Sequence, residues 1–169
     1  MVHVQLAGDE HVEGIIRVCR AGYRDVSEGI LSEETIKKNC EAYYNRVRIT
    51  TEVNAPTSRW GGYFVALDGE AVVGAAGGGM IDDKTSRLYV IYLDPSRRNE
   101  GIGSKLLDAV TLQQQQFGAK DQVVTVQRDN QKGIPFYEAR QFHYEEEFRG
   151  KNLQYEPNNI VWQYRRKLS

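Results

Sequence analysis

Along nearly the whole chain, apolar residues either alternate with polar ones or recur at helical spacing, and the switches between the two periods predict its elements. Val2-His3-Val4-Gln5-Leu6 alternates and reads as an opening strand. Asp9 is placed to cap a helix over about Glu10 to Ala21, with Val12, Ile15, Ile16 and Cys19 on one face. Ser32 followed by Glu33, Glu34 and Thr35 resembles a second helix start. That helix runs to about Arg46 and turns Ile36, Cys40 and Tyr43 or Tyr44 inward. Thr50 to Arg59, with Asn54-Ala55-Pro56-Thr57 inside it, reads as a loop.

The period then shortens to two. Tyr63 to Leu67 is a strand, Asp68-Gly69-Glu70 a tight turn, and Ala71 to Gly77 the hairpin partner. Gly77-Gly78-Gly79 is set to splay or bulge that partner's end. Asp82 to Ser86 is a turn and Arg87 to Leu93 the next strand. Helical spacing returns from about Ile102 to Phe117, stopped by Gly118. Gln113 to Gln116 reads as a solvated face of that helix. Gln122 to Gln127 is a strand, and Pro135 suits the first turn of a short helix ending near Arg140. Phe142 to Arg149 and Ile160 to Arg166 are the last strands, with a polar loop from Asn152 to Asn159 between them. The alternating Ile160-Val161-Trp162-Gln163-Tyr164 either offers an open edge or apolar face to a second copy, making a homodimer, or is buried in its own sheet. This order predicts an α+β or α/β three-layer fold, with one central twisted sheet flanked by helices.

The 169 residues suit a single domain, residues 1–169, with a real core. Apolar residues at 40% and charged ones at 27% are those of a globular protein. A net charge of −1 points to neither nucleic acid nor an anionic membrane as partner. No apolar run approaches the roughly 20 residues of a membrane span. Met1-Val2-His3-Val4-Gln5 lacks a basic region followed by an apolar one, so the expected location is cytoplasmic. Cys19 and Cys40 read as reduced thiols, and the scattered His3, His11 and His143 give no metal spacing.

Candidate chemistry concentrates between the strand at Arg87–Leu93 and the helix at Ile102. Arg98-Asn99-Glu100-Gly101-Ile102-Gly103-Ser104 places a basic residue, two glycines and a helix start in order. The glycines let the backbone turn sharply and approach a ligand. The helix start offers unpaired N–H groups and a dipole that favours an anion. A dinucleotide fingerprint needs a third glycine where Leu106 stands, and a P-loop needs Gly-Lys-Ser/Thr, which is absent.

The segment from Ile91 to Leu107 is similar to the Arg/Gln-x-x-Gly-x-Gly/Ala pyrophosphate loop of the GNAT superfamily of N-acetyltransferases. A second stretch supports the resemblance. Asn130 is followed at an interval of seven by Tyr137 within Phe136-Tyr137-Glu138, and then by Phe142. One departure is Gln141, where the family has glycine. The resemblance implies the GNAT acyl-CoA N-acyltransferase fold, its mixed sheet mostly antiparallel, and acetyl-CoA as cosubstrate. Arg98 to Ser104 would hold the pyrophosphate. The main chain of Ile91, Tyr92 and Leu93, together with Asn130, would hold the pantetheine arm. Tyr137 would protonate the departing thiolate. The alternative reading of Tyr137 is a core tyrosine with a satisfied hydroxyl, and that of Asn130 a simple helix cap.

Acyl transfer to nitrogen needs a neutral amine and a polarised carbonyl, and a placed acid can serve the leaving thiolate. The two positions where the family carries a glutamate base hold Arg87 and Thr125. Asp82, Asp83, Tyr92 or a water chain could replace it, or the amine could arrive neutral. Asp82 and Asp83 also read as an ordinary exposed turn. The expected activity is transfer of an acetyl group to a small-molecule or protein amine by direct attack in a ternary complex. The alternative is a CoA-binding sensor or interaction module. Tyr23, Asp25, Glu28, Tyr43 and Tyr44 are candidates to line the acceptor pocket, and the acceptor itself is not readable.

Overall fold

A computed structural model of the protein describes residues 1–150 and 153–169. After strand β1 (Val2–Leu6) comes a 3-10 turn (Asp9–His11) leading into helix α1 (Val12–Ser27). Asp9 does not cap this helix. Gly8 is the N-cap of the 3-10 turn, and the Asp9 carboxylate accepts from Asn54 Nδ2 at 2.6 Å. Ser32 does cap α2 (Glu33–Tyr43), its Oγ accepting from the Thr35 N–H at 3.2 Å. The chain then departs from expectation. Instead of one helix to Arg46 and a loop, a third helix α3 (Arg46–Asn54) follows, capped by Asn45 accepting from the Arg48 N–H at 2.9 Å.

The rest is a sheet with two helices. Strands β2 (Tyr63–Asp68) and β3 (Ala71–Met80) form the expected hairpin, with Gly69 in the left-handed region at its turn. Next come β4 (Thr85–Leu93), α4 (Ile102–Gln116) and β5 (Asp121–Gln127). Then α5 (Gly133–Glu138) starts two residues before Pro135, and β6 (His143–Arg149) and β7 (Ile160–Lys167) close the chain. The order across the sheet is β1-β2-β3-β4-β5-β7-β6. Among the pairings of these seven strands, only β4–β5 is parallel. Helices α1 and α3 cover one face through Ile15, Val18, Cys19 and Ile49; α4 and α5 cover the other through Ile102, Leu106, Val110 and Tyr137. No helix of the described residues is long and apolar enough to cross a membrane.

Two features of the sheet shape what lies between β4 and β5. The end of β3 is crowded from two directions: a Cβ on Gly78 would sit 2.1 Å from the Arg87 carbonyl oxygen of β4, and one on Gly79 would sit 2.0 Å from that of Arg59 in the segment before β2. Opposite Gly77 and Gly78, β4 carries an extra residue, Tyr89, which makes a bulge. A bulge reverses the alternation of faces beyond it. Leu88 therefore packs on the α4 side and so does Ile91, while Val90 and Tyr92 turn to α1.

The glutamine run is not a solvated face. Gln113 donates to the Gly61 carbonyl, Gln114 to that of Arg87, and Gln115 to that of Ser169, each at 2.9 Å. Gln114 and Gln122 are fully buried and bonded to each other, and Arg166 closes the network on Gln122 and Thr111. Nor is β7 an edge. It lies between β5 and β6, so the edge at this end of the sheet is β6, whose residues are all exposed. Between β6 and β7 the start of the expected polar loop, Asn152, lies outside the described residues. Residues 153–159 form turns, and Glu156, 7% exposed, accepts from the Ser32 N–H and from the hydroxyls of Ser32 and Thr35. This ties the β6–β7 connection to the start of α2.

Candidate active site

The parallel pairing of β4 and β5 covers only Thr85 to Leu88 against Asp121 to Val124. Beyond it the strands part and leave a cleft of about 320 Å³. Ile91, Tyr92 and Leu93 form one wall; Thr125, Val126 and Gln127 form the other. Tyr23 and Ser27 of α1 border it, as do Asn130, Phe136 and Tyr137. Along the gap, backbone groups of β4 and β5 that would have continued their pairing are left to a ligand.

At the carboxyl end of β4, Asp94 accepts from the Ser96 N–H at 2.9 Å and sets a 3-10 turn over Pro95–Arg97. Arg97 grips both oxygens of Glu100 at 2.9 Å and Asp68 at 3.0 Å, fixing the loop against the β2–β3 hairpin. Asn99 and Gly101 follow at φ +65° and +79°. Asparagine tolerates the left-handed region, and glycine adopts it without a Cβ penalty. Gly101 is the N-cap of α4 and has no side chain, so the first-turn N–H groups of Ile102, Gly103 and Ser104 remain for a ligand. Arg98 stands beside them. Its Nη2 bonds Asp25 Oδ2 at 2.6 Å, while its Nε is buried with no partner among the described residues. An orphaned guanidinium donor next to an uncapped helix start fits a phosphate group.

Tyr137 is 6% exposed and held by edge contacts with Phe136 and Phe142, at 5.3 and 5.5 Å between ring centroids. Its hydroxyl makes no hydrogen bond among the described residues, and burial pushes its pKa above the ordinary phenol value. It therefore keeps its proton at neutral pH. Asn130 uses Oδ1 to hold the start of α5, accepting from the N–H groups of Lys132 and Gly133 at 3.1 and 2.8 Å. Gln141 occupies the glycine position with φ +70°. The turn there still closes, Phe142 N–H donating to the Tyr137 carbonyl at 3.1 Å.

The sequence model described as the acetyltransferase (GNAT) family matches residues 31–144. The chain belongs to this family. Among solved structures it is similar to the PaiA N-acetyltransferase of Thermoplasma acidophilum in complex with coenzyme A, with a TM-score of 0.84 at 21% identity over 99% of each chain. It also resembles a GCN5-related N-acetyltransferase of Rhodopseudomonas palustris (TM-score 0.77, 14% identity, 98% of this chain and 95% of that one). The ribosomal-protein-S18-alanine N-acetyltransferase of Escherichia coli superposes with a TM-score of 0.68 at 15% identity, over 100% of this chain and 95% of that one. A comparison with curated proteins finds no match. As a GNAT acetyltransferase, the chain is an acyltransferase with acetyl-CoA as its cosubstrate.

This GNAT cleft gathers Ile91, Tyr92, Leu93, Arg98, Gly103, Asn130 and Tyr137. Asn99, Glu100, Gly101, Ile102 and Ser104 shape the turn without lining it. Ile102 points its side chain into the core, Glu100 is paired with Arg97, and Ser104 Oγ accepts from Arg140. Arg87 donates to Gln163 at 3.0 Å and carries no base; Thr125 lines the cleft without a carboxylate. Asp82 caps its own turn through the N–H groups of Lys84 and Thr85 and, with Asp83, borders a separate recess. Tyr92 is half-buried, its ring 6.2 Å from that of Tyr44 in an edge contact, and desolvation pushes its pKa up. Among the described residues no carboxylate or imidazole lines the cleft.

Of the acceptor-side candidates, Tyr23 lines the cleft and Tyr44 packs behind it, while Tyr43 is 46% exposed. Sequence reasoning missed Gly22 and Lys132. Gly22 has no Cβ because one would lie 2.7 Å from that of Tyr92, so it sets how near α1 comes to β4. No linear spacing marks that contact.

Proposed function

We propose that the whole chain acts as one N-acetyltransferase domain, moving the acetyl group of acetyl-CoA to a primary amine by direct attack in a ternary complex. The observation that carries this reading is the coincidence of three things at one gap. These are two parted parallel strands, an uncapped glycine-turned helix start with a free Arg98 donor, and Tyr137 with an unpartnered hydroxyl. Arg98 and the N–H groups of Ile102 to Ser104 hold the pyrophosphate. The main chain of Ile91 to Leu93 and Asn130 orient the pantetheine arm. The amine nitrogen forms its bond to the carbonyl carbon as the carbon–sulfur bond breaks. Tyr137 gives its proton to the departing thiolate, and the amine releases its own to solvent.

Because no carboxylate or imidazole among the described residues lines the cleft, the amine enters neutral in this reading. The rate at low acceptor concentration should therefore rise with pH and level off near the acceptor's own pKa. Thiol release from acetyl-CoA, measured against a panel of polyamines, amino acids, amino-sugar antibiotics and peptides, tests the activity and finds the acceptor class. A bell-shaped profile independent of the acceptor would show an enzyme base and defeat the neutral-amine mechanism. CoA binding without thiol release across the panel would favour the sensor alternative.

A further inference from the structure

At the outer end of the cleft two of its lining cations, Arg98 and Lys132, share a carboxylate behind the lining, Asp25, to which the proposed acetyl transfer assigns no role. Asp25, in the last turn of α1, places Oδ2 2.6 Å from Arg98 Nη2 and 2.9 Å from Lys132 Nζ. The three residues come from α1, the turn before α4 and the position before α5. Arg98 and Lys132 both line the cleft, beyond the carboxyl ends of β4 and β5. Two cations aimed at one oxygen are more positive than one carboxylate can neutralise. Donors are also left over. Arg98 Nε is buried and unpartnered, and an ammonium has three N–H groups, of which Lys132 gives one to Asp25. Burial opposes charge on Asp25, but the hydrogen bonds from Lys132 and Arg98 outweigh it and hold its carboxyl below the usual value. It is therefore an anion at neutral pH.

We propose that Asp25 is an internal counter-ion standing where a phosphate group of coenzyme A binds, that the phosphate displaces it, and that Lys132 then serves beside Arg98 as a second phosphate-binding cation. The inference rests on the reading of this cleft as the coenzyme A channel. A phosphate offers more charge and more acceptor oxygens than a carboxylate, so exchange onto the same two cations is downhill. Until the exchange happens, the carboxylate clasps α1 to the loops that precede α4 and α5. Part of the intrinsic affinity for coenzyme A is spent opening that clasp, and a singly charged anion lacks the charge to open it.

Calorimetry of coenzyme A binding separates the possibilities. Asp25→Asn should bind about three- to tenfold tighter than wild type, the scale of removing two partly exposed competing ion pairs. Its unliganded melting temperature should fall, so that coenzyme A raises it by more than in wild type. Asp25→Ser gives the same reading if the amide variant does not fold. Lys132→Gln should weaken binding about fivefold or more and flatten its salt dependence. Repeating the Lys132 comparison with 3′-dephospho-CoA locates the phosphate. An effect that persists belongs to the pyrophosphate, and one that vanishes belongs to the 3′-phosphate. Unchanged or weaker binding by both Asp25 variants would overturn the displacement, leaving Asp25 as a residue that merely orients Arg98. Unchanged affinity in Lys132→Gln would remove the second cation. Wild-type protein that fails to bind coenzyme A would instead defeat the cofactor reading itself.

Discussion

At the end of the cleft proposed to take the cofactor, one short run from Asp94 to Ser104 builds a turn that leaves first-turn backbone N–H groups open and brings Arg98 and Gly103 to the lining. At the end proposed to take the acceptor, elements far apart in the chain supply a few side chains each. Tyr23 comes from α1, Tyr44 from the end of α2, Tyr92 from β4, and Glu156 crosses from the β6–β7 connection to Ser32. The cofactor end is held by local geometry: left-handed Asn99 and Gly101, and the Arg97–Glu100 pair three residues apart. The other side, where we propose the acceptor enters, is backed by contacts between distant elements, such as Glu156 to Ser32, 124 residues apart. A site made of backbone can accept an invariant ligand on many sequences, whereas one made of distant side chains can change its ligand without disturbing the first.

The largest effect should come where the two ends meet. Tyr137→Phe keeps the ring contacts with Phe136 and Phe142 and removes only a hydroxyl without a hydrogen bond among the described residues. General acid catalysis is worth about 10²–10⁴-fold, so kcat should fall within that range while KM for acetyl-CoA and the melting temperature hardly move. Turnover within about threefold of wild type, with chemistry limiting, would make Tyr137 a packing residue.

Next in size is a change confined to the cofactor end. A Cβ at Gly103 would meet Phe136 Cε1 at 3.0 Å, and an aspartate there adds negative charge beside the phosphates. Gly103→Asp should cost coenzyme A affinity at least about 100-fold, and Arg98→Ala about 1–3 kcal/mol, as for lost charged hydrogen bonds. Calorimetry on folded variants checks both. Unchanged affinity in Gly103→Asp would dissolve the contrast between the two ends.

A smaller effect probes the acceptor end. The Glu156 carboxyl is held below its usual value, first by the Ser32 hydroxyl and then by that of Thr35. A group with a lowered folded-state pKa adds stability above its unfolded value, about 4.3, and loses that contribution as pH falls through the folded one. Glu156→Gln should lower the melting temperature at pH 7 by about 2–4 °C, the equivalent of about 1 kcal/mol. The gap from wild type should close as pH drops below about 4. The acceptor KM should rise while coenzyme A affinity stays put. A loss of coenzyme A affinity instead would show that the two ends are not independent.

The smallest effect concerns Gln141. A non-glycine residue in the left-handed region costs about 1–2 kcal/mol, partly offset by the extra unfolded-state freedom of glycine. Gln141→Gly should therefore stabilise the protein by about 0.5–1 kcal/mol in denaturant melts, with activity unchanged. Destabilisation would mean that the Gln141 side chain makes a contribution its backbone strain conceals.

Elements and the cofactor turn follow from neighbours in the chain, because alternation, helix caps and glycine turns depend on residues within a few positions of one another. Hence β2, β3, α4 and the turn from Arg98 to Gly103 could be read directly, and Ser32 could be recognised as a cap. Asn45 is the counter-example, a cap overlooked because the polar residues that follow it carry little helical periodicity. Long-range assembly was out of reach for a different reason. Gln113, Gln114 and Gln115 look alike as letters, and only packing assigns each its separate carbonyl at Gly61, Arg87 or Ser169. The strand at Ile160 carries the same alternation whether it lies at an edge or inside, and it was the pairing with β5 and β6 that put it inside. Asp25 joins Arg98 and Lys132 across 73 and 107 residues. Such a contact depends on how three elements converge after the sheet has twisted, and no period in the chain records that convergence.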